Sequence, residues 1–185
     1  MRFVEYSDDA LPAVLKWQVL SFLRIVFPDG FVGPDRYRDW ITQPKHQPYH
    51  LLYVANDLVV SHVEIVRRQI DHGGATFAAY APTGVLTFPT FRREGWAGAL
   101  VRKAVDRIEA SDADLGLICC APENVDFYVR NSGWKLIPGA RILAGETRAA
   151  AEQTGQSLVA EFLTEKARRC RDTFVQSPLW VGDEL

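Results

Sequence analysis

The chain has 185 residues, enough for one domain with a buried core, and we read residues 1–185 as a single domain. Hydrophobic residues are 48% and charged residues 24%; the net charge of −2 offers no basic field for nucleic acid or an acidic membrane surface. No apolar run reaches the ~20 residues of a membrane span, the N-terminus lacks a signal-peptide pattern, and an odd count of three cysteines reads as reduced thiols, so a cytoplasmic protein is expected.

Arg2 to Tyr6 alternates as a strand. Ser7, Asp8 and Asp9 then precede a helix whose apolar face is Leu11, Val14, Leu15, Val19, Phe22, Leu23 and Val26. Pro28-Asp29-Gly30 ends it, and Pro34 to Ile41 reads as a short second helix with Tyr37 and Trp40. A meander follows: strands at His50–Ala55, Leu58–Gln69 and Thr76–Phe88, with turns at Asn56-Asp57 and Asp71–Gly74. Trp96 to Ala110 is an amphipathic helix, with Ala97, Leu100, Val101, Ala104, Val105 and Ile108 as its apolar stripe. Leu115 to Ala121 is nearly all apolar, as a buried parallel strand would be. Pro122 to Asn131 reads as a helix stopped by Ser132-Gly133, and Trp134 to Ile137 as a strand. Beyond Pro138 the expectations are a helix at Arg148–Gln153, a strand at Ser157–Leu163 and a helix at Glu165–Phe174. The fold class is therefore α/β, an α+β arrangement on a mixed, mostly antiparallel sheet.

The segment from Val85 to Gly98 carries the clearest chemistry. A strand ends, a short turn holds Arg92-x-x-Gly95-x-Ala97, and a helix begins at once. A helix N-terminus presents unpaired N–H groups and the positive end of a dipole, Gly95 admits a ligand close to the backbone, and Ala97 and Gly98 keep side chains away. This suits a pyrophosphate. It equally suits an ordinary strand-to-helix turn, and it is neither G-x-G-x-x-G nor a P-loop. His46, His50, His62 and His72 show no metal-ligand spacing among themselves or to Cys119, Cys120 and Cys170, so no metal is expected.

Thr87-Phe88-Pro89-Thr90-Phe91-Arg92-Arg93-Glu94-Gly95-Trp96-Ala97 resembles the acetyl-CoA motif of the GNAT superfamily of N-acetyltransferases, V-x-P-x-x-R/Q-x-x-G-x-G/A, with Thr87 replacing the valine. Asn124-x-x-Phe127-Tyr128 followed by Gly133-Trp134 resembles a second element of that family. Within it, the His62…Arg68 strand, the hairpin into Gly84-Val85 and the tail at Gly182-Asp183 are most similar to aminoglycoside 2'-N-acetyltransferases, and also to nodulation N-acyltransferases.

The resemblance implies a GNAT-like fold with parallel, splayed fourth and fifth strands and acetyl-CoA between them. It implies direct attack of a primary amine on the thioester in a ternary complex. Val85, Leu86 and Thr87 would line the pantetheine arm, where a backbone N–H polarises the thioester carbonyl. Arg92, Arg93, Glu94, Gly95, Trp96, Ala97 and Gly98 would hold the pyrophosphate, and Asn124 and Tyr128 complete the cofactor set. Tyr128 is the candidate acid for the leaving thiolate, although it lies five residues before Gly133 where the family places it four before; an extra residue in the turn, or a packing role for Tyr128, would each explain that.

The aminoglycoside enzymes carry a Glu where this chain has Thr83, which cannot serve as a base near neutral pH. If the turn centres on His72-Gly73-Gly74, the hairpin pairs residues whose numbers sum to about 147, and Glu64 sits opposite Thr83 as a replacement base or a solvated strand residue. Thr83, Trp180 and Asp183 are the candidate acceptor-binding residues, with a frayed terminus as the alternative for the last two. His62 reads as a structural histidine, and Tyr37, Trp40 and Phe31 as pocket lining or core. The expected partner is a small-molecule amine, with no nucleic acid and no membrane, and a homodimer is left open. A non-catalytic acyl-CoA sensor and a longer-chain acyl donor stand as alternatives.

Overall fold

The computed structural model describes residues 1–182. In chain order the elements are β1 (Arg2–Ser7), α1 (Ala13–Val26), β2 (Tyr49–Ala55), β3 (Leu58–His72), β4 (Ala75–Thr87), α2 (Trp96–Glu109), β5 (Leu115–Cys120), α3 (Val125–Ser132), β6 (Lys135–Leu136), β7 (Ile142–Ala144), β8 (Glu152–Gln153), β9 (Ser157–Phe162), α4 (Glu165–Arg169), α5 (Thr173–Gln176) and β10 (Leu179–Trp180). The main sheet has the order β1-β2-β3-β4-β5-β9-β6, and a small sheet the order β10-β7-β8. The main sheet is mostly antiparallel, with β4 and β5 parallel at Ala79↔Leu115 and Tyr80↔Gly116. The chain divides into two compact units: Met1–Val66 with Pro82–Ala104, and Arg67–Ala81 with Val105 onward.

In the first unit, Leu15, Val19, Leu20 and Leu23 of α1 pack with Phe31, Ile41, Leu52, Val54, Val59 and Leu86. The β2–β3 hairpin turns at Asn56 and Asp57, both at positive φ, as a two-residue hairpin turn requires. Below it a bulge between Tyr53 and Val54 shifts the register.

In the second unit, Phe77, Leu115, Leu117, Ile142, Leu158, Phe162 and Phe174 form the core. Gly116 exists for Trp134: a Cβ there would lie 2.3 Å from the indole. Trp134 is fully buried, and its Nε1 donates to Glu109 Oε1 at 2.9 Å. Asp114 accepts from the Ala78 N–H and the Thr164 hydroxyl, at 3.0 and 2.8 Å, tying β4 and the β9–α4 turn to the start of β5.

Four sequence expectations need correction. Residues 34–41 do not form a helix: a 3₁₀ turn covers Gly33–Tyr37, and the chain then extends at Arg38, whose guanidinium lies 4.2 and 4.4 Å from the Phe31 and Trp40 rings. Residues 148–153 form one 3₁₀ turn capped by Thr147, after which Glu152 and Gln153 pair with β7 instead of adding helix. The helix expected over 165–174 is two short ones broken at Cys170, whose carbonyl accepts from the Thr173 hydroxyl. On α1, Val14 and Val26 are exposed and Leu20 is buried in their stead; the 3.6-residue period outlines the stripe but not its edges.

Candidate active site

The loop after β4 has the conformation its composition called for. Pro89–Phe91 is a 3₁₀ turn, and Arg92 Nε donates to the Thr87 carbonyl at 3.2 Å, bracing the turn. Arg93 adopts φ +68°, a costly geometry for a residue with a Cβ, and Gly95 adopts φ +87°. The Gly95 carbonyl accepts from Ala99 N–H and so opens α2. A Cβ on Gly95 would meet nothing within 4 Å, so the space before the helix end is open. Glu94 and Trp96 are held aside: Trp96 Nε1 donates to Glu94 Oε2 at 2.9 Å, and its ring packs 4.9 Å from Tyr53. The loop leads into the N-terminus of α2, where the first N–H groups lack an intrahelical partner and the dipole is positive. Residues 92 to 98 therefore fit a pyrophosphate.

Upstream on β4, the Leu86 side chain is buried, and its carbonyl accepts from the Ser61 hydroxyl at 2.8 Å. The Ser61 hydroxyl also lies 3.0 Å from Thr87 Oγ1. Val85 and Thr83 are half-buried. Gly84 has φ +58°, and a Cβ there would lie 3.1 Å from Glu64 Oε1 and 3.3 Å from His62.

That close approach marks a buried polar cluster. His50, His62 and Glu64 are 0%, 0% and 1% exposed. His50 faces Glu64 directly across the β2–β3 pair, and His62 shares their face two residues along β3. Thr42 Oγ1 donates to Glu64 Oε1 at 2.6 Å, while Glu64 Oε2 lies 3.5 Å from His50 Nδ1. His62 Nδ1 lies 2.8 Å from the Gly84 carbonyl, which can only accept, so this nitrogen carries the proton. His62 Nε2 is then the lone pair that accepts from His50 Nδ1–H at 3.1 Å. His50 Nε2 meets Asp8 Oδ1 at 3.2 Å. Burial pushes His50 down to about 4, aided by the nearby Lys16 charge. It pushes His62 down to about 3. Both imidazoles are neutral at physiological pH. Desolvation raises Asp8 above the usual carboxylate range.

In the second unit, Tyr128 lies in α3, its ring edge-on to Phe127 at 5.1 Å. Burial pushes its phenol up to about 12, so it stays a proton donor. The helix runs regularly into Gly133, whose N–H bonds to the Val129 carbonyl at 3.0 Å. Asn124 precedes α3 and is exposed. Desolvation pushes the Cys119 thiol up to about 12 and raises Cys120, which makes both poor nucleophiles. Trp180 lies in β10, its Nε1 donating to the Gly145 carbonyl, and Arg148 sits 5.4 Å from its ring centroid. Asp183 lies outside the described residues. Phe31 is core and Tyr37 is exposed at 80%.

The sequence profile of the family described as "Acetyltransferase (GNAT) domain" matches residues 5–137. The chain belongs to the GNAT acetyltransferase family. No curated protein matches it at a significant level. Among solved structures it is similar to Escherichia coli ElaA, with a TM-score of 0.58, 13% identity, and coverage of 86% of this chain and 97% of that one. It is similar to an acyl-CoA N-acyltransferase from Pseudomonas aeruginosa, with a TM-score of 0.56, 12% identity, and coverage of 86% and 96%. It is also similar to an aminoglycoside 6'-N-acetyltransferase complexed with coenzyme A, with a TM-score of 0.60, 11% identity, and coverage of 89% and 98%. At these identities the likeness is one of fold.

For a GNAT protein the cluster of His50, His62 and Glu64 is the feature sequence reading missed. The sequence singles out Glu64, but nothing in the spacing of His50 and His62 joins them to it. The signal lay in the bulge: continuing the Ala55↔Leu58 register would set His50 opposite Val63, and the shift at Tyr53/Val54 sets it opposite Glu64. Among the described residues no helix is long and apolar enough to cross a membrane.

Proposed function

We propose that this GNAT protein is an N-acetyltransferase moving the acetyl group of acetyl-CoA to a primary amine of a small molecule. The observation that carries the reading is the loop from Arg92 to Gly98, with its open, positive-φ Gly95 at the start of α2. Acetyl-CoA supplies the activated acyl group. The chain's own residues bind and orient: α2 and the loop backbone hold the phosphates, and the end of β4 at Val85 to Thr87 lines the arm.

Glu64 is the proposed base. Thr42 fixes one of its oxygens, and Gly84, lacking a Cβ, lets β4 pack closely against it. A base here takes a proton from the incoming ammonium, directly or through water. Tyr128, fully protonated at neutral pH, is the proposed donor to the departing thiolate. Thr83 is proposed to contact the acceptor. The acceptor class nearest the chain's own residues is that of the aminoglycoside 2'-acetyltransferases and nodulation acyltransferases. That likeness rests on the strand from His62 to Arg68, where Arg68 Nη1 donates to the Val181 carbonyl at 2.6 Å.

A panel of primary amines, scored by CoA release from acetyl-CoA, tests the reading. Turnover with at least one small amine is expected. CoA binding without turnover on any amine would replace it with a non-catalytic acyl-CoA sensor, the reading that the near-complete burial of Glu64 favours. Turnover with a long-chain acyl-CoA only would make the donor, not the acceptor, the corrected point.

A further inference from the structure

We propose that His50, His62 and Glu64 form a binding site for a divalent first-row transition metal of the zinc class. One ligand atom from each lies within 4.8 Å of the others, and all three side chains are buried. His62 Nε2 and His50 Nδ1 are 3.1 Å apart, and His50 Nδ1 and Glu64 Oε2 are 3.5 Å apart. Ligands about a tetrahedral ion at roughly 2.0–2.1 Å stand about 3.3 Å from one another, so both pairs that His50 makes are already at ligand spacing.

The outer partners strengthen the assignment. A metal-bound histidine gives its other ring N–H to a carbonyl or carboxylate, which fixes the ring and leaves the ligating lone pair inward. His62 does this with the Gly84 carbonyl at 2.8 Å. His50 Nε2, 3.2 Å from Asp8 Oδ1, does it once the ring proton moves there. Glu64 is oriented by the Thr42 hydroxyl at 2.6 Å. Each ligand thus has its own second partner, drawn from a different part of the first unit. Two imidazoles and a carboxylate are the donor set of zinc and its neighbours, not of calcium or magnesium.

The ion would take the place of the His50 Nδ1 proton that His62 Nε2 now accepts, and that single proton of the neutral ring would move to His50 Nε2, towards Asp8. Loading thus needs a tautomer change at His50 and no net proton release. It also commits the Glu64 lone pair, so a loaded site and a base at Glu64 exclude one another. The proposal does not depend on acetyl transfer, since metal binding is read directly.

The test is a cobalt(II) titration of chelator-treated full-length protein, followed by visible absorption and then by zinc competition. The expected result is equimolar saturation with ligand-field bands and displacement by zinc. Glu64→Gln, which keeps the shape and the Thr42 contact, and His50→Ala should each weaken cobalt binding by about a hundredfold, and Asp8→Asn by about tenfold. His72→Ala, in the other unit, should leave it unchanged. Absence of saturable cobalt or zinc binding to the wild type would overturn the proposal and leave the cluster a hydrogen-bonded network. So would binding that Glu64→Gln and His50→Ala leave intact. The wild-type titration decides the first point even if a variant fails to fold.

Discussion

The two units treat buried polarity differently. In the first, β2 and β3 carry His50, His62 and Glu64 on one face and Ser61 on the other, all essentially fully buried. In the second, the centre is aliphatic and aromatic, and polar groups such as Asp114 and Glu109 serve as edge braces on Ala78, Thr164 and Trp134. Burying ionisable groups costs free energy unless they are satisfied, so a sheet that keeps four polar residues inside is arranged for chemistry rather than for stability. The second unit carries the kind of packing that stabilises a fold. Substitutions in the two units should therefore separate stability from activity.

The largest expected effect lies in the second unit. Trp134→Ala empties the space that Gly116 leaves for the indole and should cost about 3–5 kcal/mol, read as a drop in denaturation midpoint. Loss of turnover without loss of stability there would erase the contrast between the units. Next, Glu64→Gln should lower turnover about a hundredfold or more while acetyl-CoA affinity holds. An unchanged rate would remove Glu64 as base. Gly95→Ala follows: the left-handed backbone costs about 1–2 kcal/mol, and acetyl-CoA affinity should fall about tenfold as the loop shifts. Wild-type affinity in this variant would make the loop a structural turn. The smallest is Tyr128→Phe, for which a decrease of about tenfold in turnover with unaltered stability is expected. Tyr128 stands five residues before Gly133, and an intact rate would mark it as a packing aromatic.

Much of this was legible in the sequence because the signals are local. The meander, α2 and the parallel β5 follow from apolar periodicity and from turns at Asn56-Asp57 and Gly73-Gly74. The phosphate loop is readable because Gly95, Arg92 and a helix start stand within a few residues. The histidine–glutamate cluster was not readable, since a single-residue bulge decides which β3 residue faces His50. Past Pro138 the elements are only a few residues long and held by pairing, as β8 is by β7, so periodicity has too little length to act on.

The most direct test of the central claim is a calorimetric titration of acetyl-CoA into the wild-type protein, with ATP as a control. The account predicts saturable, equimolar binding in the micromolar to millimolar range that ATP does not reproduce. Absence of binding at millimolar acetyl-CoA would contradict it and leave residues 92 to 98 as nothing more than the turn between β4 and α2.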